Sequence, residues 1–141
     1  MNKYVCTRCW EIYDHWYKYD KNGRNYCPKS GCMGPVEEID ELMLPIIIML
    51  NKKGYRTDFC CSGHLVNDLT ERNSAYISFV DLPPEIKMPA LPRPWYWDIK
   101  SIIRCDNYKN DNPYTLYNYW LNDLIVLMVW VEQLEDISEK E

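Results

Sequence analysis

The residues of this 141-residue chain best suited to chemistry are its seven cysteines and two histidines. Two groups of them stand out. The first combines Cys6-x2-Cys9 with "CPKSGC", which is Cys27-x4-Cys32. Paired thiolates at short spacing each supply two of the four tetrahedral donors that a structural zinc ion takes. The spacing therefore predicts a structural zinc site at Cys6, Cys9, Cys27 and Cys32, with His15 as a rival for the fourth position. A module this small has little core, so metal binding would supply much of its folding free energy.

The second group is "GYRTDFCCSGH", residues 54–64, which leaves four readings open. Cys60 or Cys61 with His64 and the distant Cys105 would make a second metal site, short of one ligand. A nucleophilic Cys61 with His64 as base and Asp58 orienting the imidazole would make a catalytic set. A strand cysteine packed into the core would carry no chemistry at all. The fourth reading is a ligand site. A strand ending in Ser62-Gly63-His64 offers backbone N–H groups, a hydroxyl and an imidazole to an anion, and Gly63 permits its close approach. Arg56, Arg72 or Arg104 would balance the charge. Trp95, Tyr96 and Trp97 would stack on a base or ring.

The elements that position these groups follow from the pattern. Between the two knuckles, "WEIYDHWYKYDKNGRNY" is β-rich, and Asn22-Gly23 suits the positive φ angles of a hairpin turn. Residues 1–35 thus read as a zinc ribbon closed by Gly34-Pro35, and residues 36–141 as an α+β body. In "VEEIDELMLPIIIMLNKKG", Val36, Ile39, Leu42, Met43, Ile46, Ile47 and Leu50 recur at helical spacing. Asp40 as N-cap, Pro45 near the first turn and Gly54 as a stop predict a helix over about 41–53. Residues 36–39 would extend the ribbon as a strand.

Three strands are expected next, at 55–61, 74–80 and 96–105. In the first, Tyr55, Thr57, Phe59 and Cys61 share one face. Residues 66–73 read as a loop and the proline-rich 81–95 as a stiffened connection. A long helix over about 114–134 buries Leu116, Trp120, Leu124, Leu127, Val131 and Leu134. Val126, Val129 and Trp130 lie off that stripe. The helix is therefore apolar nearly all round, and a homo-oligomer or another protein partner on its outer side is an expectation. The fold class is α+β: a zinc ribbon, then a small, mostly antiparallel sheet packed with two helices.

Composition narrows the function classes. With 47% apolar residues a real core can form. The net charge of −5 argues against a general nucleic-acid coat. Residues 1–35 carry six Lys/Arg against three acids, a balance of +3 that leaves −8 for the rest, so contact with nucleic acid would be local. "MNKYVCTRCW" has no apolar stretch of signal-peptide type, and "LIVLMVWV" is far shorter than the ~20 residues a membrane span needs. A soluble, cytoplasmic protein without a membrane partner is expected. There, cysteines point to metal or thiol chemistry rather than disulfides.

The stretch "EIDELMLPIIIMLNKKGYRTDFCCSGH" resembles a family of largely uncharacterised proteins from low-GC bacteria and their phages. These join a short zinc ribbon to a helix, then "LN-x-KGY-x-T", a strand and a Cys-Ser-Gly-His turn. The resemblance covers about residues 4–80 and is most specific over 50–64. More distantly, the turn is similar to the "SCSGR" turn of the tRNA wybutosine-synthesis methyltransferase family, where a basic residue stands in place of His64. The resemblance implies a cleft at the CCSGH turn for a nucleotide-like or nucleic-acid ligand. The leading expectation is thus a zinc-containing binding protein rather than an enzyme. It would hold an anionic, nucleotide-like ligand through Ser62, Gly63, His64, Arg56 or Arg104, and Trp95 or Trp97. In a phage, that ligand would be a host nucleotide signal. The alternatives are an RNA- or nucleotide-modifying enzyme, methyltransferase-like or built on Cys61 and His64, and a scaffold for protein contacts.

Overall fold

A computed structural model describes residues 2–15, 25–63, 65–66, 71–72, 74–80, 82, 88–106 and 112–138. The expected Asn22-Gly23 turn lies outside them. The chain divides into two compact units, Met1–Leu44 and Pro45–Glu141.

In the first unit, β1 (Asn2–Cys6) is the central strand of an antiparallel sheet, flanked by β2 (Ile12–Tyr13) and β3 (Val36–Asp40). Cys6 stands opposite Val36, and Asn2 opposite Asp40. This full-length pairing is why the unit continues to Leu44 instead of closing at Pro35. Its buried apolar residues, among those described, are Val5, Cys6, Cys27, Ile39, Met43 and Leu44.

The helix expected over 41–53 divides in two. Asp40 accepts a hydrogen bond from Leu42 N at 3.1 Å and caps one 3-10 turn, Glu41–Met43. Pro45 has no N–H to give the Glu41 carbonyl, so the α-helical bond is missing there. Leu44 N donates to that carbonyl instead, which winds the chain tighter. Helix α1 then runs from Leu44 to Lys52.

In the second unit the chain forms β4 (Thr57–Cys61), a short pair of β5 (Leu65–Val66) with β6 (Glu71–Arg72), then β7 (Ala75–Phe79), β8 (Tyr96–Ile99) and β9 (Ile102–Cys105). Four of these make an antiparallel sheet in the order β4-β7-β9-β8. Along β7 burial alternates, with Ala75, Ile77 and Phe79 buried and Tyr76 and Ser78 half-exposed. The sheet therefore has one covered face and one open face.

Two strand expectations need correction. Residues 96–105 are a hairpin turning at Lys100-Ser101, not one strand. A strand of that length would overrun the five-residue β7, and folding back lets β9 pair on both edges. In β4 the register slips between Thr57 and Phe59, leaving Asp58 as a bulge. A one-residue slip moves every later side chain to the other face. Thr57 and Cys60 stand opposite the buried Phe79 and Ile77, whereas Cys61 stands opposite Tyr76 on the open face.

Helix α2 spans Pro113–Gln133. Asn112 caps it, accepting from Tyr114 N at 2.9 Å, and Pro113 occupies the first position, where its missing N–H costs nothing. Leu116, Leu124, Leu127, Val131 and Leu134 are buried as the stripe predicts. Trp130, off that stripe, is also buried, its indole donating to Pro89 O at 3.1 Å. No described helix is long and apolar enough to cross a membrane.

The end of α2 carries no basic residue of its own. Lys53, just past α1, supplies one: its Nζ donates to the carbonyls of Val131, Glu132 and Leu134 at 2.7–2.9 Å. A cation there satisfies orphan carbonyls and opposes the negative end of the helix dipole. Gly54 follows with φ +100°, and a Cβ on it would lie 2.7 Å from Ser138 N. It stops α1 and also admits the chain that follows α2. Lys53→Met should cost roughly 1.5–3 kcal/mol, the worth of charged hydrogen bonds. Urea unfolding would register this as a lower midpoint at unchanged slope; an unmoved midpoint would show the contact to be idle.

Candidate metal centre and ligand face

Cys6 ends β1, Cys9 closes the turn after it, and Cys27 and Cys32 form the second knuckle. Their four Sγ atoms lie within 4.8 Å of one another. Cys6 and Cys32 are 3.6 Å apart, and Cys9 and Cys27 3.7 Å. A tetrahedral ion with metal–sulfur bonds of about 2.3 Å requires sulfur–sulfur edges of about 3.8 Å. These two pairs are close to that edge, and the four sulfurs suit one such ion. It is the only such group among the described residues, and His15 is not part of it.

The surroundings suit thiolates. Arg8 N and Cys9 N both donate to Cys6 Sγ, at 3.3 and 3.4 Å, and the Tyr13 hydroxyl lies 3.2 Å from Cys27 Sγ. Burial opposes ionisation of Cys27, but the bonds from Tyr13, the Lys29 backbone and the neighbouring thiols outweigh it and bring the thiol down to about 7. For Cys9 the balance is reversed. A backbone bond at Glu11 favours the thiolate, yet burial and the other three thiols push it up to about 12. Four like groups this close cannot all ionise unless a cation stands among them. Both knuckles also hold left-handed residues that are not glycine, Trp10 (φ 63°) and Met33 (φ 56°). Each costs about 1–2 kcal/mol, which bonds to a metal would offset.

Gly34 is fixed by space. A Cβ there would stand 2.7 Å from Cys6 Sγ and 2.6 Å from Arg8 Cβ. The second knuckle packs this closely because Cys27 N donates to Gly34 O at 2.8 Å and Arg8 holds the Cys32 carbonyl at 2.6 Å.

The CCSGH turn is drawn inward. Ser62 is 1% exposed, its hydroxyl donates to Gly63 O at 3.3 Å, and its carbonyl accepts from the Trp120 indole at 2.6 Å. Gly63, at φ +88°, is buried and donates its N–H to Cys61 Sγ at 3.4 Å. Cys105 donates to the buried Asp123 at 3.6 Å, and Trp95, 4% exposed, donates to the Asp123 carbonyl at 2.8 Å. These bonds tie α2 to the sheet. Trp95 is thus a core residue with its polar atom engaged. His64 lies outside the described residues. Arg56 and Asp58 are exposed, Asp58 at the bulge. Of Arg72, only its place in β6 is described.

Arg104 and Trp97 separate by strand alternation. Trp97 stands opposite Ile103 on the covered side, 5.9 Å from the Phe79 ring. Arg104 lies on the open face, opposite Tyr76 on one side and Tyr96 on the other. With Cys61 opposite Tyr76, the row Cys61–Tyr76–Arg104–Tyr96 crosses all four strands. The Arg104 guanidinium sits 5.4 Å from the centre of the Tyr76 ring, and its Nε donates to Asp98 at 2.9 Å. Its two terminal nitrogens have no partner among the described residues. Tyr96 is 38% exposed and donates to Asp106 at 2.6 Å.

The sequence singles out Tyr96, beside Trp95 and Trp97, but not Tyr76. The alternation in "SAYISF" marks Tyr76 as open-face, but its pairing with Arg104 depends on register that the sequence does not spell out.

Gly34→Ala should weaken metal binding at least about tenfold, since the added methyl must displace the Cys6 sulfur and Arg8 Cβ. Competition with a chromophoric chelator measures this, and unchanged affinity would refute the close packing. In the same assay the affinity should fall as pH is lowered, because protons compete for the thiolates. Comparison with protein-family models, curated proteins and solved structures finds no match to this chain.

Proposed function

We propose that the chain is a zinc-containing binding protein that holds an anionic, ring-bearing, nucleotide-like ligand on the open face of its sheet, beside the CCSGH turn. Zinc is favoured for the quartet because four thiolates in tetrahedral array and no open position match its structural sites. When bound, the metal supplies folding energy to the first unit and no reaction chemistry.

The observation that carries the ligand reading is Arg104, set over the Tyr76 ring with both terminal nitrogens uncommitted. A guanidinium fork pairs with phosphate in two parallel bonds, and its Nε bond to Asp98 holds that fork in place. Tyr76 and Tyr96 give an aromatic surface on either side, on which a base can stack. In this reading Tyr96, joined by Tyr76, provides the stacking expected of Trp95, Tyr96 and Trp97. The nucleotide-like class follows from the resemblance of residues 50–64, and the Arg–Tyr row is consistent with it. A binding role is preferred over catalysis because the described polar atoms of Ser62, Gly63 and Cys61 are engaged within the protein.

The test is a thermal-shift and calorimetric screen of the metal-loaded protein against nucleoside mono-, di- and triphosphates and free phosphate. At least one nucleotide should raise the melting temperature. Arg104→Ala should weaken its binding by about tenfold or more, the worth of one charged bidentate pair, with unchanged circular dichroism. A screen with no binder, or a binder indifferent to Arg104→Ala, would overturn the proposal.

A further inference from the structure

The second unit has another feature that the ligand face does not use. A cavity of about 550 Å³ is lined by Ile48, Met49 and Lys52 of α1 and by Met128 and Glu132 of α2, among others. Its apolar lining runs on to the surface of α2. Ile125, Met128, Val129 and Glu132 fall on one helix face at spacings of three and four. Ile125 is 59% exposed and Val129 48% exposed, which is unusual for two aliphatic side chains one turn apart.

Both signs of charge border this patch. Lys52 and Glu132 line the same cavity, yet neither side chain has an ion pair or hydrogen bond among the described residues. Lys53 differs, being committed to the end of α2. An apolar centre with an unpaired cation on one helix and an unpaired anion on the other is complementary to itself. In a two-fold contact residue i of one copy meets residue j of the other, and j meets i. Two copies set face to face would bury Ile125 and Val129 against the Met49–Met128 cavity. Each Lys52 would then meet the other copy's Glu132. A partner of a single charge sign would leave one of these groups facing like charge.

We infer that the α1–α2 cavity and the Ile125–Val129 stripe form the contact between two copies of this chain. The inference is independent of the ligand face and stands or falls separately. Methionines suit such a surface, since their flexible side chains repack around an inserted aliphatic group.

The experiment is a mass measurement in solution on the metal-loaded full chain over a range of concentrations. The wild type should reach twice the monomer mass of 17.0 kDa. Val129→Glu, at a position exposed enough to accept the charge, should stay at monomer mass with unchanged helicity. Lys52→Glu and Glu132→Lys should each weaken association roughly tenfold, and the double variant should recover most of it. A wild type that is monomeric at every concentration overturns the inference and leaves the patch to a partner of different sequence. So does a Val129→Glu variant that still dimerises, or a double variant weaker than both singles.

Discussion

Four sulfur atoms held within 4.8 Å set the terms for the first unit. Among its described residues six apolar side chains are buried, and two of these, Cys6 and Cys27, are themselves members of the quartet. Modules of this size commonly depend on a metal to offset the entropy of ordering the chain. Every local feature of the ribbon bends towards that quartet. The β1–β3 ladder brings Cys6 to Val36, close to the second knuckle, and Gly34 leaves room for the Cys6 sulfur. Trp10 and Met33 accept left-handed backbone so that the knuckles close. Without a cation, mutual repulsion among the thiolates and strain in the turns would oppose that closure.

In the second unit the comparable constraint is the bulge at Asp58. One extra residue in β4 moves Cys60 to the covered face and Cys61 to the open one. The two adjacent cysteines therefore differ in kind. Cys60 shares the face of Ile77 and Ile103, while Cys61 begins the row that continues through Tyr76, Arg104 and Tyr96. Beyond the bulge, the turn dives under the Trp120 indole. The function proposed follows from this split. The buried half of the motif anchors α2, and the open half flanks a guanidinium held in place by Asp98 and Tyr76.

Local signals in the sequence proved informative where the physics is local. Cysteine spacing identified the quartet, and helical spacing located both helices, the first with its cap at Asp40. The α+β class followed from the order of those elements. What escaped was decided by contacts between distant segments. Lys53 reads as a C-terminal cation of α1, yet its amine closes α2, some eighty positions away. The Lys100-Ser101 turn lacks Gly, Pro and Asn, so the hairpin at 96–105 carried no turn signature. Trp95 and Trp97 read as stacking residues, but packing buries the first and alternation turns the second away from Arg104. Pairing register produced the Tyr76–Arg104 contact, and register is set by bulges that composition does not announce.

The most direct test of this account is amide hydrogen exchange on the reduced, metal-loaded protein before and after chelation, with elemental analysis of the starting material. The account predicts one zinc per chain. It also predicts that chelation strips protection from the amides of Cys6, Thr7, Cys27 and Val36, whose bonds hold the ribbon closed. The amides of β7 serve as an internal reference. Protein purified without stoichiometric metal, or ribbon amides that stay protected after the metal is removed, would contradict it.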